Sequence, residues 1–169
     1  MIWSIAVLAA VTLERLAELL FATRNTARLK ARGAVEHAPG HYPLIVALHF
    51  AWLAGLWLFG WNRPLHWGWL AAFGLLQVLR AWVLMTLGAR WTTRIITLPG
   101  ETLIRQGPYR LMRHPNYLVV VLEIAVLPLA FGLPQLAAVF ALANAIVIAI
   151  RVRAEEAALA GSDSAAPRR

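Results

Sequence analysis

Apolar residues fill five long blocks of the chain, and short polar segments separate these blocks. A helix needs about 20 predominantly apolar residues to cross a hydrocarbon core of ~30 Å. The pattern therefore predicts an all-α integral membrane protein with about five transmembrane helices. Only Gly132 and Leu133 separate the last two blocks, which predicts an antiparallel helical hairpin. The predicted helices cover residues 2–22, 43–60, 69–87, 115–131 and 134–150, and the last continues as a polar helix to about residue 159.

The composition agrees with a membrane environment. Hydrophobic residues make up 60% of the 169 residues and charged residues only 14%, whereas about a quarter of a soluble domain is charged. The length accommodates a single domain, which we place at residues 1–160, followed by a disordered tail at 161–169. Because the chain has no cysteine, disulfides, thiolate metal sites and cysteine nucleophiles are excluded.

The positive charge is concentrated on one side of the predicted helices. Of the 16 Lys and Arg residues, 13 lie after the first helix, after the third helix or in the C-terminal segment, and the opposite side has only Arg63. The positive-inside rule then predicts an N-terminus outside and a C-terminus in the cytoplasm of a multi-pass protein, as in a bacterial inner membrane. The net charge of +8 is explained by this topology, so we expect no nucleic-acid partner.

Charged residues within the predicted spans collect in the half of the bundle nearest the cytoplasm. Such residues usually mark a function or a buried pair, which predicts a polar cavity open to the cytoplasm. The alternative is a set of structural ion pairs, and the i,i+3 spacing of Arg15 and Glu18 permits one on a single helix. The residues concerned are Glu14, Arg15, Glu18, Arg80 and Glu123.

A second polar stripe runs along the last helix. Arg151 and Glu155 are i,i+4 neighbours, and Asn144 lies nearly two turns earlier on the same face. This stripe extends into the membrane, and a functional role is the favoured interpretation.

The densest polar segment covers residues 103–117. Gly107 and Pro108 predict a turn that opens a short helix, on which Tyr109 and Arg113 would be i,i+4 neighbours. Pro115 is suited to the first position of the fourth helix, so residues 114–116 form a helix N-terminus at the membrane interface. Free backbone N–H groups there favour an anionic ligand. A basic loop that holds anionic lipid head groups is an equally good interpretation of these residues alone.

The motif, together with the later stripe, resembles the isoprenylcysteine carboxyl methyltransferase and phospholipid methyltransferase superfamily over residues 94–159. The resemblance implies S-adenosyl-L-methionine as cofactor, a cytoplasm-facing cofactor site within residues 88–160, and a lipophilic small-molecule substrate that enters from the bilayer. It rests on Gly107-Pro108-Tyr109, on Arg113-His114-Pro115-Asn116-Tyr117, and on Arg151 with Glu155-Glu156.

The resemblance also implies roles for individual residues. Glu155 corresponds to a carboxylate that meets the cofactor, and Arg151 to a residue near the reacting group of the substrate, so these two are the catalytic candidates. Arg94 lies where relatives can place a polar cofactor contact, and its role stays open. The cofactor-binding candidates are Glu101, Thr102, Leu103, Ile104, Tyr109, Arg113, His114, Pro115, Asn116, Tyr117 and Glu155.

The first half of the chain resembles a bacterial subgroup, some of whose members O-methylate alkylpyrone-type lipids. Methyl transfer from a sulfonium mainly requires positioning and exclusion of water, and an acidic oxygen needs no strong base. We therefore predict O-methylation of a carboxylate or acidic enol at the cytoplasmic leaflet. The scattered histidines predict no metal site.

Three other functions remain open on the sequence alone. One is a phospholipid N-methyltransferase of the same superfamily. The second is an NADPH-dependent membrane lipid reductase, which would need about twice as many helices. The third is a lipid-binding or transport protein without enzymatic activity, for which repeats and broken helices would be typical, and neither is evident. The acceptor and the oligomeric state are not predicted.

Overall fold

Five α-helices account for nearly all of the architecture, as the apolar blocks predict. The computed structural model describes residues 1–100 and 104–164, so the candidates Glu101, Thr102 and Leu103 lie outside the described residues. Within this part the all-α membrane fold is confirmed. The helices are α1 (Ile2–Ala31), α2 (Tyr42–Gly60), α3 (Trp67–Leu87), α4 (Pro115–Ala130) and α5 (Pro134–Ser164).

Three of the helices are long and apolar enough to cross a membrane by length and composition, and they cover Tyr42–Gly60, Trp67–Arg90 and Pro134–Ala157. Helix α4 is apolar but has only 16 residues, and α1 is interrupted by charged residues. Large hydrophobic side chains remain exposed along all five helices. A soluble protein rarely leaves so much apolar surface uncovered, whereas lipid covers it in a membrane protein.

Helix α1 is nine residues longer than predicted, because it continues past residue 22 to Ala31. The extension is rich in Ala, Leu, Arg and Lys, which favour helix, but its polarity suggested a loop. It ends before Gly33, whose φ of 86° is a conformation that glycine adopts without strain. At 1.5 Å per residue, its 30 residues span about 45 Å, which is longer than a hydrocarbon core of ~30 Å.

A small antiparallel sheet, which the sequence pattern did not predict, joins two interfacial segments. Strand β1 (Val35–His37) follows α1 and pairs with β2 (Ile95–Thr97), which follows α3. Three-residue strands are too short to show an alternating pattern in the sequence. The sheet brings the end of α1 close to the segment that leads toward α4.

The apolar core lies between the helices, away from the β-sheet. Trp52 packs in it and donates a hydrogen bond from Nε1 to the carbonyl of Ile124 at 3.1 Å, which ties α2 to α4. Among its buried members are Leu8, Val11, Leu56, Phe73, Leu127, Phe131 and Val147.

Helices α4 and α5 form the predicted hairpin. The Leu133 N–H donates to the carbonyl of Pro128 at 2.9 Å, and Gly132 has a φ of 66°, which together close the end of α4. Helix α5 continues to Ser164, so its predicted end at residue 159 is five residues early. The predicted tail is helical over residues 161–164, and residues 165–169 lie outside the described part.

Candidate active site

A hydrogen-bonded chain of three side chains links α4 to α5 near the cytoplasmic end predicted for both helices. Arg151 donates from Nε to the Tyr117 hydroxyl at 2.9 Å, and this hydroxyl donates to Oε2 of Glu155. The guanidinium of Arg151 also lies 5.5 Å from the centre of the Tyr117 ring. Arg151 is 8% exposed, and a buried guanidinium needs such partners to offset its loss of hydration. Arg151 and Glu155 of the sequence stripe thus belong to one connected polar site, whereas the buried Asn144 side chain has no hydrogen-bond partner among the described residues.

A backbone carbonyl fixes the other side of Arg151. Nη1 of Arg151 donates to the carbonyl oxygen of Thr93 at 2.7 Å, so the segment before β2 reaches the α4–α5 site. The hydrogen bonds to Tyr117 and Thr93 use Nε and Nη1 of Arg151, and not Nη2, the remaining nitrogen of the guanidinium. Sequence reasoning did not find Thr93, because a main-chain carbonyl leaves no signal in the residue type.

The N-terminus of α4 lies beside this chain, as the Pro115 motif predicts. Pro115 occupies the first turn and is buried, and His114 is the N-cap residue without a side-chain capping bond. The His114 ring stacks on the Tyr117 ring at 5.2 Å between centroids and 11° between planes. The helix start therefore presents free backbone donors and two parallel rings to the same region.

Tyr109 lies near Glu155, whereas Arg113 is exposed. Gly107–Arg110 form a short 3₁₀ helix, and residues 111–114 are irregular, so the predicted i,i+4 relation of Tyr109 and Arg113 on one helix is wrong. Burial, and after it the nearby Glu155 carboxylate, raises the pKa of Tyr109 to about 12. Arg113 is exposed, and Ile104 is half-buried.

One buried polar atom at the α4 N-terminus has no partner among the described residues. Oδ1 of Asn116 is inaccessible and accepts no hydrogen bond there. A buried acceptor without a donor is destabilising by about 1–3 kcal/mol, so a ligand that donates a hydrogen bond to it gains this free energy. The amino and hydroxyl groups of an adenosyl ligand are suitable donors, and the residues present therefore fit S-adenosylmethionine.

The charged residues within the bundle pair with each other instead of lining a cavity. Arg80 donates to both carboxylate oxygens of Glu18 and from Nη1 to Oε2 of Glu123 at 2.7 Å. Arg15 lies 3.1 Å from Glu18 and 3.2 Å from Glu14. The structure thus favours the alternative of structural ion pairs, extended over three helices, over the predicted polar cavity.

A cavity of about 300 Å³ lies instead at the end of α1 and the start of α2. Arg94 stacks over the Tyr42 ring at 4.1 Å and donates to Glu36 at 2.5 Å, and Lys30 donates to the same carboxylate at 2.5 Å. The polar residues at positions 23, 26 and 30 of α1 are the sequence pattern that could have indicated this cavity. The cavity is lined by Thr23, Thr26, Ala27, Lys30, Tyr42, Thr93 and Arg94.

Comparison with known protein families assigns the half of the chain that contains the motif to one family. The model of the isoprenylcysteine carboxyl methyltransferase (ICMT) family matches residues 69–161, which contain the Arg151–Tyr117–Glu155 chain and the α4 N-terminus. This chain belongs to the isoprenylcysteine carboxyl methyltransferase family. The resemblance seen in the sequence is therefore confirmed at the level of the family, and membership places the chain among membrane methyltransferases.

A relative covers almost the whole chain. The uncharacterized protein YpbQ of Bacillus subtilis (strain 168) is 37% identical over 158 residues, which are 90% of this chain and 94% of that protein. No solved structure matches the chain significantly. The assignment to the alkylpyrone-methylating subgroup stays a prediction.

Proposed function

We propose that this protein uses S-adenosylmethionine to methylate an oxygen of a lipophilic acceptor, a carboxylate or an acidic enol, at the cytoplasmic leaflet. The observation that carries the proposal is the chain of hydrogen bonds from Arg151 through Tyr117 to Glu155 beside the α4 N-terminus. It combines a cation and an anion within one partly buried polar site, and methyl transfer from a cationic donor to an anionic acceptor calls for both.

The cofactor-binding part of the site comprises the α4 start and the acidic end of this chain. When bound, S-adenosylmethionine supplies a methyl group on a positively charged sulfonium. Glu155 provides a carboxylate of opposite charge, and the Tyr117 hydroxyl holds that carboxylate in place. Asn116 and His114 offer acceptor and ring contacts, and residues 101–104 are proposed to complete the site.

Arg151 is the residue proposed to orient the acceptor oxygen. Its Nε and Nη1 are fixed by Tyr117 and Thr93, so its plane is held before any substrate arrives. The Nη2 edge can then donate to an anionic oxygen in a defined direction. Fixed orientation is a large part of what an enzyme contributes to a displacement reaction, and an ionised oxygen needs no base.

Cofactor binding tests the first half of the proposal. Isothermal titration of the purified protein should show binding of S-adenosylhomocysteine and none of NADPH. His114→Ala and Glu155→Ala should each weaken binding about tenfold or more, or ~1.4 kcal/mol. Leu111→Ala, at an exposed position of the same segment, serves as the control and should not change it. Unchanged affinity in both site variants would remove the site assignment.

Acceptor choice tests the second half. Labelled S-adenosylmethionine is offered with alkylpyrones, prenylcysteine analogues and phosphatidylethanolamine in parallel. Label is expected in an acidic-oxygen acceptor, and Arg151→Lys should abolish most turnover while largely keeping cofactor affinity, because Lys lacks the planar fork. Label in phosphatidylethanolamine alone would contradict O-methylation and indicate the N-methylating branch.

A further inference from the structure

The cavity at the end of α1 has a chemical character that the family motif does not explain. Five of its seven lining residues, Thr23, Thr26, Ala27, Lys30 and Tyr42, precede residue 69, where the family match begins. The cavity is therefore built mainly from the part of the chain outside the shared methyltransferase region, where features particular to this protein are expected.

The walls of the cavity carry hydroxyl groups and positive charge. Thr23, Thr26 and Lys30 lie on one face of α1, and Tyr42 and Arg94 face them from α2 and the segment before β2. Among the described lining residues, two are cationic and none is acidic.

One carboxylate next to the cavity balances only part of this charge. Glu36 accepts from both Lys30 and Arg94, and these hydrogen bonds, Lys30 first, keep the pKa of the Glu36 carboxyl below its usual value. The carboxylate is thus ionised at neutral pH and also holds the two cations in position. Two cations against one carboxylate leave one net positive charge at the wall, which suits a single acidic group.

Thr93 connects the cavity to the candidate active site. Its side chain lines the cavity and donates from Oγ1 to the Tyr42 hydroxyl at 3.4 Å. Its carbonyl oxygen accepts from Nη1 of Arg151 at 2.7 Å. A ligand in the cavity is therefore separated from the guanidinium of Arg151 by the width of one residue.

From this arrangement we propose that the cavity binds an acidic group, a carboxylate or phosphate, of an amphiphile whose chain lies in the bilayer. This identification rests on the proposed function: the amphiphile is the methyl acceptor. The group bound in the cavity is then a second acidic group of that acceptor, distinct from the oxygen near Arg151. The cavity lies between the polar last turns of α1 and the start of the apolar helix α2, so a head group can reach it while the tail stays in lipid. Basic residues at this level attract anionic head groups. The cavity then selects acceptors by their head group.

The test measures ligand binding to the full chain in phosphatidylcholine nanodiscs. The probes are dodecyl phosphate, dodecanol and inorganic phosphate, which separate an anionic amphiphile from a neutral one and from a free anion. Dodecyl phosphate should bind to a saturable site, and Lys30→Gln and Arg94→Gln should each weaken it about tenfold or more. Arg28→Gln removes the same charge from an exposed position of α1 outside the cavity and should change binding less than about twofold.

Thr26→Val keeps the shape of the side chain and removes its hydroxyl, so a weaker affinity in this variant reports on the cavity without a change in charge. S-adenosylhomocysteine should bind Lys30→Gln, Thr26→Val and Arg28→Gln as it binds the unchanged protein, which also shows that these variants fold. An equal effect of Arg28→Gln, equal affinity for dodecanol, or equal affinity for inorganic phosphate would each overturn the proposal.

Two further outcomes separate this proposal from the proposed function. Loss of S-adenosylhomocysteine binding in Lys30→Gln and Arg94→Gln, in parallel with dodecyl phosphate, would assign the cavity to the cofactor and overturn the proposal. If the unchanged protein binds no S-adenosylhomocysteine but binds dodecyl phosphate with the expected variant pattern, the methyltransferase function fails while the acidic-group site is supported.

Discussion

Arg80 and Glu18 are joined side by side between α3 and α1, where Arg80 donates from Nε to one carboxylate oxygen of Glu18 and from Nη2 to the other at 2.6 Å. This fork geometry matches the plane of a guanidinium to that of a carboxylate. Both residues lie in stretches predicted to cross the membrane, where a charge without a partner is strongly unfavourable. The pair therefore constrains how these two helices pack.

Replacement of Arg80 should destabilise the protein strongly. Arg80→Gln removes the guanidinium that donates hydrogen bonds to the buried carboxylates of both Glu18 and Glu123 and leaves them with Arg15 alone, which is expected to cost about 3–5 kcal/mol. Thermal unfolding in a mild detergent measures the effect. Glu14→Gln, which alters only a more exposed contact to Arg15, is the control and should change stability by about 0–1 kcal/mol. A similar decrease in stability in the two variants would show that the buried ion pairs contribute no more to stability than the exposed one.

The Tyr117 hydroxyl should matter for binding more than for folding. Tyr117→Phe retains the ring that stacks on His114 but removes the hydroxyl between Arg151 and Glu155. Affinity for S-adenosylhomocysteine should fall about tenfold, because a lost partner for a buried charged group costs about 1–3 kcal/mol. The melting temperature is measured in parallel, and a large decrease without a change in affinity would argue for a purely structural role.

Gly107 is expected to tolerate no side chain. Its φ is 53°, and a Cβ there would overlap Oγ1 of Thr86 and lie 3.2 Å from Nε1 of Trp82, both on α3. Gly107→Ala should lower the free energy of unfolding by about 1–3 kcal/mol. Gly74→Ala, at an open position within α3, is the matched control and should be neutral or slightly stabilising. Equal stability of the two variants would contradict the close approach of residue 107 to α3.

Low pH should break the ion pairs of Glu36, which link the end of α1 to the segment before β2. Hydrogen bonds from Lys30 and Arg94 lower the pKa of Glu36 in the folded state, although partial burial opposes them. The contribution to stability is thus present above the unfolded pKa near 4.5 and is lost as the pH falls through the lower folded value. Melting temperatures of the unchanged protein and Glu36→Gln should differ at about pH 6, and the difference should shrink as the pH falls below 4.5. A constant difference would point to a role of Glu36 other than its charge.

Cysteine labelling can establish the orientation, because the chain has no cysteine of its own. Asn62→Cys, between α2 and α3, should react with a membrane-impermeant maleimide in intact cells. Leu111→Cys, which is 76% exposed before α4, should react only after permeabilisation. These outcomes follow from the distribution of basic residues. The reverse pattern would invert the topology and place the candidate active site on the outer face.

The sequence by itself determined the helices, their hairpin and the family motif. Lipid requires long apolar spans with internally satisfied backbones, so a local count of apolar residues finds the spans. The Pro115 motif is likewise local, since a proline and its neighbours define a helix N-terminus wherever they occur. His114, Tyr117, Arg151 and Glu155 were therefore predicted as site residues before any packing was known, and their roles remain proposals.

Only the tertiary structure decided which distant groups meet. The pairing of Arg80 with Glu18 and Glu123 depends on how each helix is rotated about its axis, and helix spacing alone does not fix that rotation. The same holds for the Thr93 carbonyl at Arg151 and for the cavity, which forms because the β1–β2 pairing brings the end of α1 to residue 94. These contacts join residues 43 to 62 positions apart, as does the Arg94–Glu36 ion pair at 58 positions, and local sequence patterns carry no information about such separations.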